Sequence, residues 1–291
     1  MGWDHVVRIP LEPLRSLADR HGGQVLTGPL LTPGRIRPLA LAVTGELAPL
    51  LEARFVSLAC GAVERGACIL ASSQLASKVS AAAGLWIHDN AGFAFAAILE
   101  SAIVPSLQPI VGAHCVIASS AVLGPRVELG ARVHVGPGAV IGHPGFGWVA
   151  EAAGGFRAIP QLGGVVIEDD VSIGPLCTID AGTLAPTRIR RGAKLDSHVH
   201  IGHNCDVGAN TIIAAQCGIA GSVTIGESVL MGGQAGIADH VTVGSRARIA
   251  AKSGVIADVP PGTTVAGYPA VGRVRWLRGL ANLYRNIGTG K

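Results

Sequence analysis

Three histidines crowd the segment Lys194–Asn204, KLDSHVHIGHN, and a fourth, His240, stands alone downstream. Imidazole titrates close to neutrality, so a histidine at an accessible position can take a proton from an attacking amine or hydroxyl. Eighteen residues after His203 comes Gly221, in the segment GIAGS. A backbone N–H at a glycine corner can stabilise the oxyanion formed when a thioester carbonyl is attacked. A second polar side chain would hold the substrate or the developing charge. Together these groups make an acyl-transfer site, provided the chain brings them to one place. The competing reading is plain surface chemistry, since an exposed corner tolerates any polar residue. His203, His240, His198 and His200 are the candidates.

A six-residue repeat is what could bring them together. From Ile189 to Val255 an apolar residue stands at every sixth position; a second run covers Val111 to Ile141, and Ile167, Ile173 and Ile179 form a third. A period of six fits neither an amphipathic helix nor a heptad coil. It fits a chain that turns a corner every six residues with one apolar side chain inward per face, a triangular parallel β-helix whose coils gain a core by stacking. The residue after each apolar position is usually Gly or Ala, as at Gly202, Ala220 and Ala238, which suits tight corners. Three hexads make one coil, and the runs amount to about seven coils, or a prism about 34 Å long at roughly 4.8 Å per coil. Ile201, Ile219 and Ile237 then stack on one face. His203 and Gly221 share a column at the corner beyond it, and Asn204, Ser222 and His240 the neighbouring column. His203 and His240 come out two coils, or about 9.6 Å, apart.

The rest of the chain divides around that prism. Residues 1–108 lack hexads and read as a mixed α/β unit, with a short helix over Ala91–Glu100 started by Asp89 or Asn90. Pro105 and Pro109 bracket the junction. The prism spans 109–261, with a loop thrown out over 143–164 (HPGFGWVAEAAGGFRAIPQLGG) and four extra residues near Leu184–Thr187; loops on a rigid scaffold commonly carry function. The hexads stop at Pro260-Pro261-Gly262, and 262–291 is a basic extension, helical over Arg273–Arg285, with five Arg or Lys and no acidic residue from Gly272 to Lys291. Such an end suits solvent or an acidic partner.

A net charge of +4 is too weak to suggest nucleic acid, no 18-residue uncharged apolar stretch predicts a membrane span, and the start MGWDHVVRIP lacks the apolar segment of a secretion signal, so a cytoplasmic protein is expected. Cys115, Cys177, Cys205 and Cys217 each stand two residues before a hexad aliphatic, the small inward position, and read as buried free thiols. There is no CxxC and no Cys/His cluster, so neither a metal nor a redox cofactor is expected.

The chain resembles the UDP-3-O-acylglucosamine N-acyltransferases of lipid A biosynthesis. The resemblance rests on GFGW (Gly145–Trp148), F-x-x-I-P-Q-L-G (Phe156–Gly163), TID-x-G (Thr178–Gly182), KLD (Lys194–Asp196), IGHN (Ile201–Asn204), GIAGS (Gly218–Ser222) and G-x-PA (Gly267–Ala270), in family order across about 60% of the chain. The last motif is common to many hexapeptide acyltransferases; GFGW with PQLG before the HN pair is far more specific. The resemblance implies a left-handed β-helix that forms a homotrimer with sites in the clefts between prisms. It also implies transfer of a 3-hydroxyacyl chain from acyl carrier protein to the 2-amino group of a UDP-3-O-acylglucosamine, with no cofactor. On the same ground His203 is the catalytic base, His240 the second active-site histidine and Gly221 the oxyanion-hole amide. Asp196, Asn204, Phe146, Trp148 and Gln161 bind substrate, and the basic C-terminal segment meets acyl carrier protein. Ile69 and Leu75, in Cys68–Leu75, stand where the family carries an aromatic pair for uracil, so base stacking worth about 1–3 kcal/mol is absent from those positions. The alternatives are a paralogue acylating another amino sugar, or a non-catalytic trimeric scaffold.

Overall fold

The computed structural model describes residues 6–102, 107–152, 154–267 and 271–287. Pro105, Tyr268–Ala270 of the Gly267–Ala270 motif, Lys291 and the first five residues lie outside the described residues. From Ile110 onward the chain winds through three parallel sheets of seven, eight and seven strands, each strand pairing with those one coil before and after it. These are the three walls of the predicted prism. Ile179 pairs with Ile201, Ile201 with Ile219 and Ile219 with Ile237, so the predicted stack is present in register.

Most wall strands are two residues long, one exposed and one buried. The inward positions fill a continuous core from Val127 to Val259. Cys177, Cys205 and Cys217 lie buried in it, with Cys115 half-buried at its end. Burial pushes the Cys205 thiol up to about 12. Corners are made at a left-handed residue recurring with the repeat, and most of these are not glycine: His198, Asn204, Asn210, Gln216, Ser222, Ser228, Gln234 and His240 all have φ between 55° and 63°.

The prism ends later than the hexads do. Thr264–Val265 pairs with Arg248–Ile249, adding a strand to the second wall beyond Pro260-Pro261-Gly262. The prolines do not stop the ladder because they occupy a corner, where Gly262 takes φ 68°.

The N-terminal part is built on a six-stranded sheet in the order Val7–Arg8, Arg35–Ile36, Glu46–Leu50, Cys68–Ala71, Gly84–Ile87, Gln24–Thr27. Its inner strands CILA and GLWI are buried at every position, as expected of parallel strands covered on both faces. The helix over Ala91–Glu100 forms as predicted, and Asn90 is the cap: its Oδ1 accepts the Phe93 N–H at 3.0 Å. This helix carries the inserted loop. Arg157 makes a two-point ion pair with Glu100 at 2.9 and 2.6 Å, and Asn90 Nδ2 donates to the Ala150 carbonyl at 2.8 Å. The helix over Arg273–Ile287 leaves Val274, Trp276, Leu277, Leu283 and Tyr284 exposed. No helix among the described residues is long and apolar enough to cross a membrane.

Candidate active site

The third wall leads into the corner that holds His203. Strand His200–Ile201 ends, Gly202 turns, His203 projects, and Asn204 takes the left-handed conformation. One coil on, Gly221 lies beneath the imidazole: a Cβ added there would fall 2.7 Å from both Cε1 and Nε2 of His203. Above, the inserted loop descends onto the same ring, and a Cβ at Gly145 would fall 2.5 Å from the Cβ of His203. Only glycine permits either approach. The Gly221 N–H has no acceptor among the described residues, while its carbonyl accepts from His240 N–H at 3.1 Å.

Polar partners hold the ring at its other edge. Asn204 Nδ2 lies 2.9 Å from His203 Nδ1 and 3.1 Å from Thr183 Oγ1, and Asn204 Oδ1 accepts the Thr183 N–H at 2.7 Å. The Thr183 hydroxyl donates to Gln161 Oε1 at 2.7 Å. Burial, then the neighbouring His240 and His200, hold the His203 imidazole below its ordinary range, so it is neutral near pH 7. His240 occupies the expected column. Its ring stacks at a tilt on Phe55 of the N-terminal part, 5.5 Å between centroids, with Arg54 over the other ring at 5.2 Å. Burial and then Arg54 hold its pKa low as well.

The loop adds an apolar cavity of about 600 Å³ beside this corner, lined among others by Phe146, Trp148, Ile159, Leu162 and Gln161. Phe146 and Trp148 meet edge to face at 6.3 Å and remain exposed at 85% and 51%. Asp180 also lines the cavity; burial raises its pKa against the opposing charges of His200 and His143.

His203, Gly221, His240, Asn204 and Gln161 therefore converge, with Phe146 and Trp148 on the adjoining cavity. Asp196 does not join them. It follows the second wall, at the opposite edge of the third, where its carboxylate caps the Ser197 N–H at 2.7 Å. His198 sits at that same corner, and His200 lies in the third wall with Thr178 Oγ1 at 2.8 Å and Asp180 at 3.9 Å. Ile69 is wholly buried in its strand and offers no surface to a base. Thr183, Gly145, Arg54 and Phe55 were not foreseen. Thr183 had a signal in the break in spacing between Ile179 and Ile189, and Gly145 one in the GFGW motif of the inserted loop; Arg54 and Phe55 had none. No group of three or more His, Cys, Asp or Glu among the described residues is placed to hold a metal ion.

The bacterial transferase hexapeptide model matches residues 108–143 and 186–221, and the hexapeptide repeat of succinyl-transferase matches 222–255. A UDP-3-O-acylglucosamine N-acyltransferase of Anaeromyxobacter dehalogenans is 47% identical over 178 residues, covering 60% of this chain and 50% of the relative. Its namesake from Caulobacter vibrioides is 50% identical over 175 residues, 60% of this chain and 51% of the relative. Among solved structures, a UDP-N-acetylglucosamine acyltransferase from Campylobacter jejuni aligns at 26% identity and a TM-score of 0.42, over 54% of this chain and 68% of that one. The prism is thus of the hexapeptide-repeat kind, and the chain, which spans about half the length of the curated relatives it matches, is similar to UDP-3-O-acylglucosamine N-acyltransferases.

Proposed function

We propose that the chain is an N-acyltransferase that moves a 3-hydroxyacyl group from the thioester of acyl carrier protein to the 2-amino group of a UDP-3-O-acylglucosamine, in lipid A biosynthesis. The observation that carries the reading is the packing of the His203 imidazole between Gly145 and Gly221, with an unpaired backbone N–H beside it. Stacking of coils requires neither glycine contact; a proton-transfer group next to an oxyanion donor does. The amine nitrogen would attack the thioester carbon, Gly221 N–H would hold the oxygen, and collapse would expel the thiol. The cavity beside Phe146 and Trp148 is apolar enough for an acyl chain. Asp196, one corner away, would reach such a site only from a neighbouring copy, which favours a homotrimer with sites between prisms. The basic helix over Arg273–Ile287 would receive the acidic carrier protein.

The resemblance gives His203 the base role, and His203→Ala should abolish transfer while leaving the thermal melt and oligomeric state unchanged. Near-normal turnover in that variant would sink the assignment. A second reading, acylation of a different amino sugar, is favoured by the burial of Ile69. Competition between UDP-linked and free amino sugars as acceptors separates the two.

A further inference from the structure

One carboxyl group in the loop cavity has no hydrogen bond. Asp180 is only 7% exposed and faces the space lined by Phe146, Trp148, Ile159 and Leu162. Among the described residues no N–H or O–H donates to its side chain, and His200 Nε2, 3.9 Å away, stands beyond hydrogen-bond reach. The other polar side chains of the cavity are engaged or in solvent. Glu100 holds Arg157, Gln161 joins Thr183 to the Ile159 carbonyl, and His143 is exposed. A buried polar group without a partner costs free energy, and the stacking of coils does not require one at this position. A ligand group would satisfy it.

Register puts this carboxyl beside the reacting corner. Asp180 follows Ile179 as Gly202 follows Ile201, and the two isoleucines pair. Asp180 is therefore one coil, about 4.8 Å, from the turn that projects His203, and Gly221 lies one coil on the opposite side. The surrounding walls are apolar, which suits a hydrocarbon chain; a sugar would need a partner for each of several hydroxyls. The chain that fits carries a single polar group close to its reacting end. A hydroxyl meets that need, because it donates to a carboxylate and accepts from a carboxylic acid, and so serves both protonation states of a group whose pKa burial raises.

We propose that Asp180 binds the 3-hydroxyl of the acyl donor and so selects hydroxylated chains over plain ones, with the rest of the chain lying against Phe146 and Trp148. The proposal rests on the acyl-transfer reading above and adds the residue that chooses the donor. In a 3-hydroxyacyl thioester the hydroxyl stands two carbons from the reacting carbonyl. A carbonyl held at the Gly221 N–H sends its chain across His203 into the cavity, and the third carbon passes on the Asp180 side. An unsubstituted chain would leave the carboxyl buried without a partner, and that cost falls on the wrong donor alone.

The test sets a 3-hydroxyacyl carrier protein against the plain acyl carrier protein of equal chain length, with one amino-sugar acceptor. The parent should favour the hydroxyacyl donor by roughly 10² in kcat/KM. Asp180→Leu keeps the volume but removes the polar atoms, and the preference should fall to within about threefold of unity, by loss on one donor and gain on the other. Asp180→Asn still bonds a hydroxyl and should keep most of the preference. A merely structural Asp180 would lower both donors alike. A parent that takes both donors equally overturns the proposal. So does Asp180→Leu with the preference intact, or with a change only in the KM of the amino sugar. Infrared difference spectra need neither the leucine variant nor turnover. Binding of 3-hydroxyacyl pantetheine should shift a carboxyl band that plain acyl pantetheine leaves in place and that Asp180→Asn lacks. That shift in a protein that acylates no amino sugar would uphold the hydroxyl site and remove the reaction; transfer without the shift would keep the reaction and overturn the site.

Discussion

Replacing Gly221 by alanine perturbs the corner through a single added carbon. The backbone there is not left-handed, so alanine costs no strain. The new Cβ would meet Cε1 and Nε2 of His203 at 2.7 Å and Cδ2 at 3.1 Å, all atoms of one rigid ring. To restore an ordinary contact of about 3.5 Å the imidazole must retreat roughly 0.8 Å. Little room exists for that retreat, because Gly145 closes on the Cβ of His203 from the loop side and Asn204 holds Nδ1 at 2.9 Å. A misplacement near 1 Å costs on the order of 10² in rate, about 2.7 kcal/mol of barrier. Gly221→Ala should therefore lose about a hundredfold in kcat while its backbone N–H and its thermal melt persist. Gly218→Ala is the control: it lies three residues earlier in the same coil, and an added Cβ there meets nothing within 4 Å. The assay is amide formation from 3-hydroxyacyl carrier protein and UDP-3-O-acylglucosamine. Activity within threefold of the parent in Gly221→Ala would refute the argument that this contact positions His203.

Other consequences follow from the same packing. Ile219 is wholly buried between Ile201 and Ile237, so Ile219→Ala should cost about 2–5 kcal/mol in denaturant unfolding, because adjacent coils cannot close over the void. Maleimide at pH 8 should label exposed Cys60 first and spare Cys68 and Cys205, whose thiols burial pushes up to about 11 and about 12. His203 and His240 have folded-state pKa values below their unfolded values, so the unfolded chain binds more protons once the pH drops below about 6.5. Stability should fall as the pH passes downward through that window, and the His203→Gln, His240→Gln double variant should melt with a shallower pH dependence, leaving the part due to His21.

What could be read in advance depended on whether position within the repeat set the outcome. Ile201, Ile219 and Ile237 stack because the wall allows one inward side chain per hexad, so counting placed Gly221 under His203 and His240 two coils on. Counting also separates Asp196 from them, since it follows Leu195 of the second wall rather than Ile201 of the third. Family motifs nonetheless put all four in one site, and in a single chain the register wins. The contacts that define the site's chemistry obey no period. Thr183 reaches Asn204 only because the chain between Ile179 and Ile189 bulges, and Gly145 meets His203 only because the loop is pinned to Glu100 and Asn90 of a helix outside the prism. Phe55 lies in a segment with no repeat at all, so nothing in spacing announces its contact with His240.

The left-handed corners tie scaffold and site together. A non-glycine residue in that conformation costs of order 1–3 kcal/mol, yet the prism holds many of them. Glycine would relieve the strain at each, but it would also remove the side chain. At most corners that trade matters little, because the residue is an exposed polar one. At Asn204 and His240 the side chain makes the contacts of the corner: φ of 60° and 59° aims one at His203 and sets the other against Phe55. Between them, Ser222 has the same φ, its N–H bonding to the His203 carbonyl at 2.7 Å. That ladder bond, with His240 N–H to Gly221 on the next coil, keeps the corner column in line. Strain at the site is thus offset by hydrogen bonds that the repeat forms at every coil, and the His203 corner needs no backbone geometry beyond that of its scaffold. What distinguishes it is the glycine beneath His203 and the loop above.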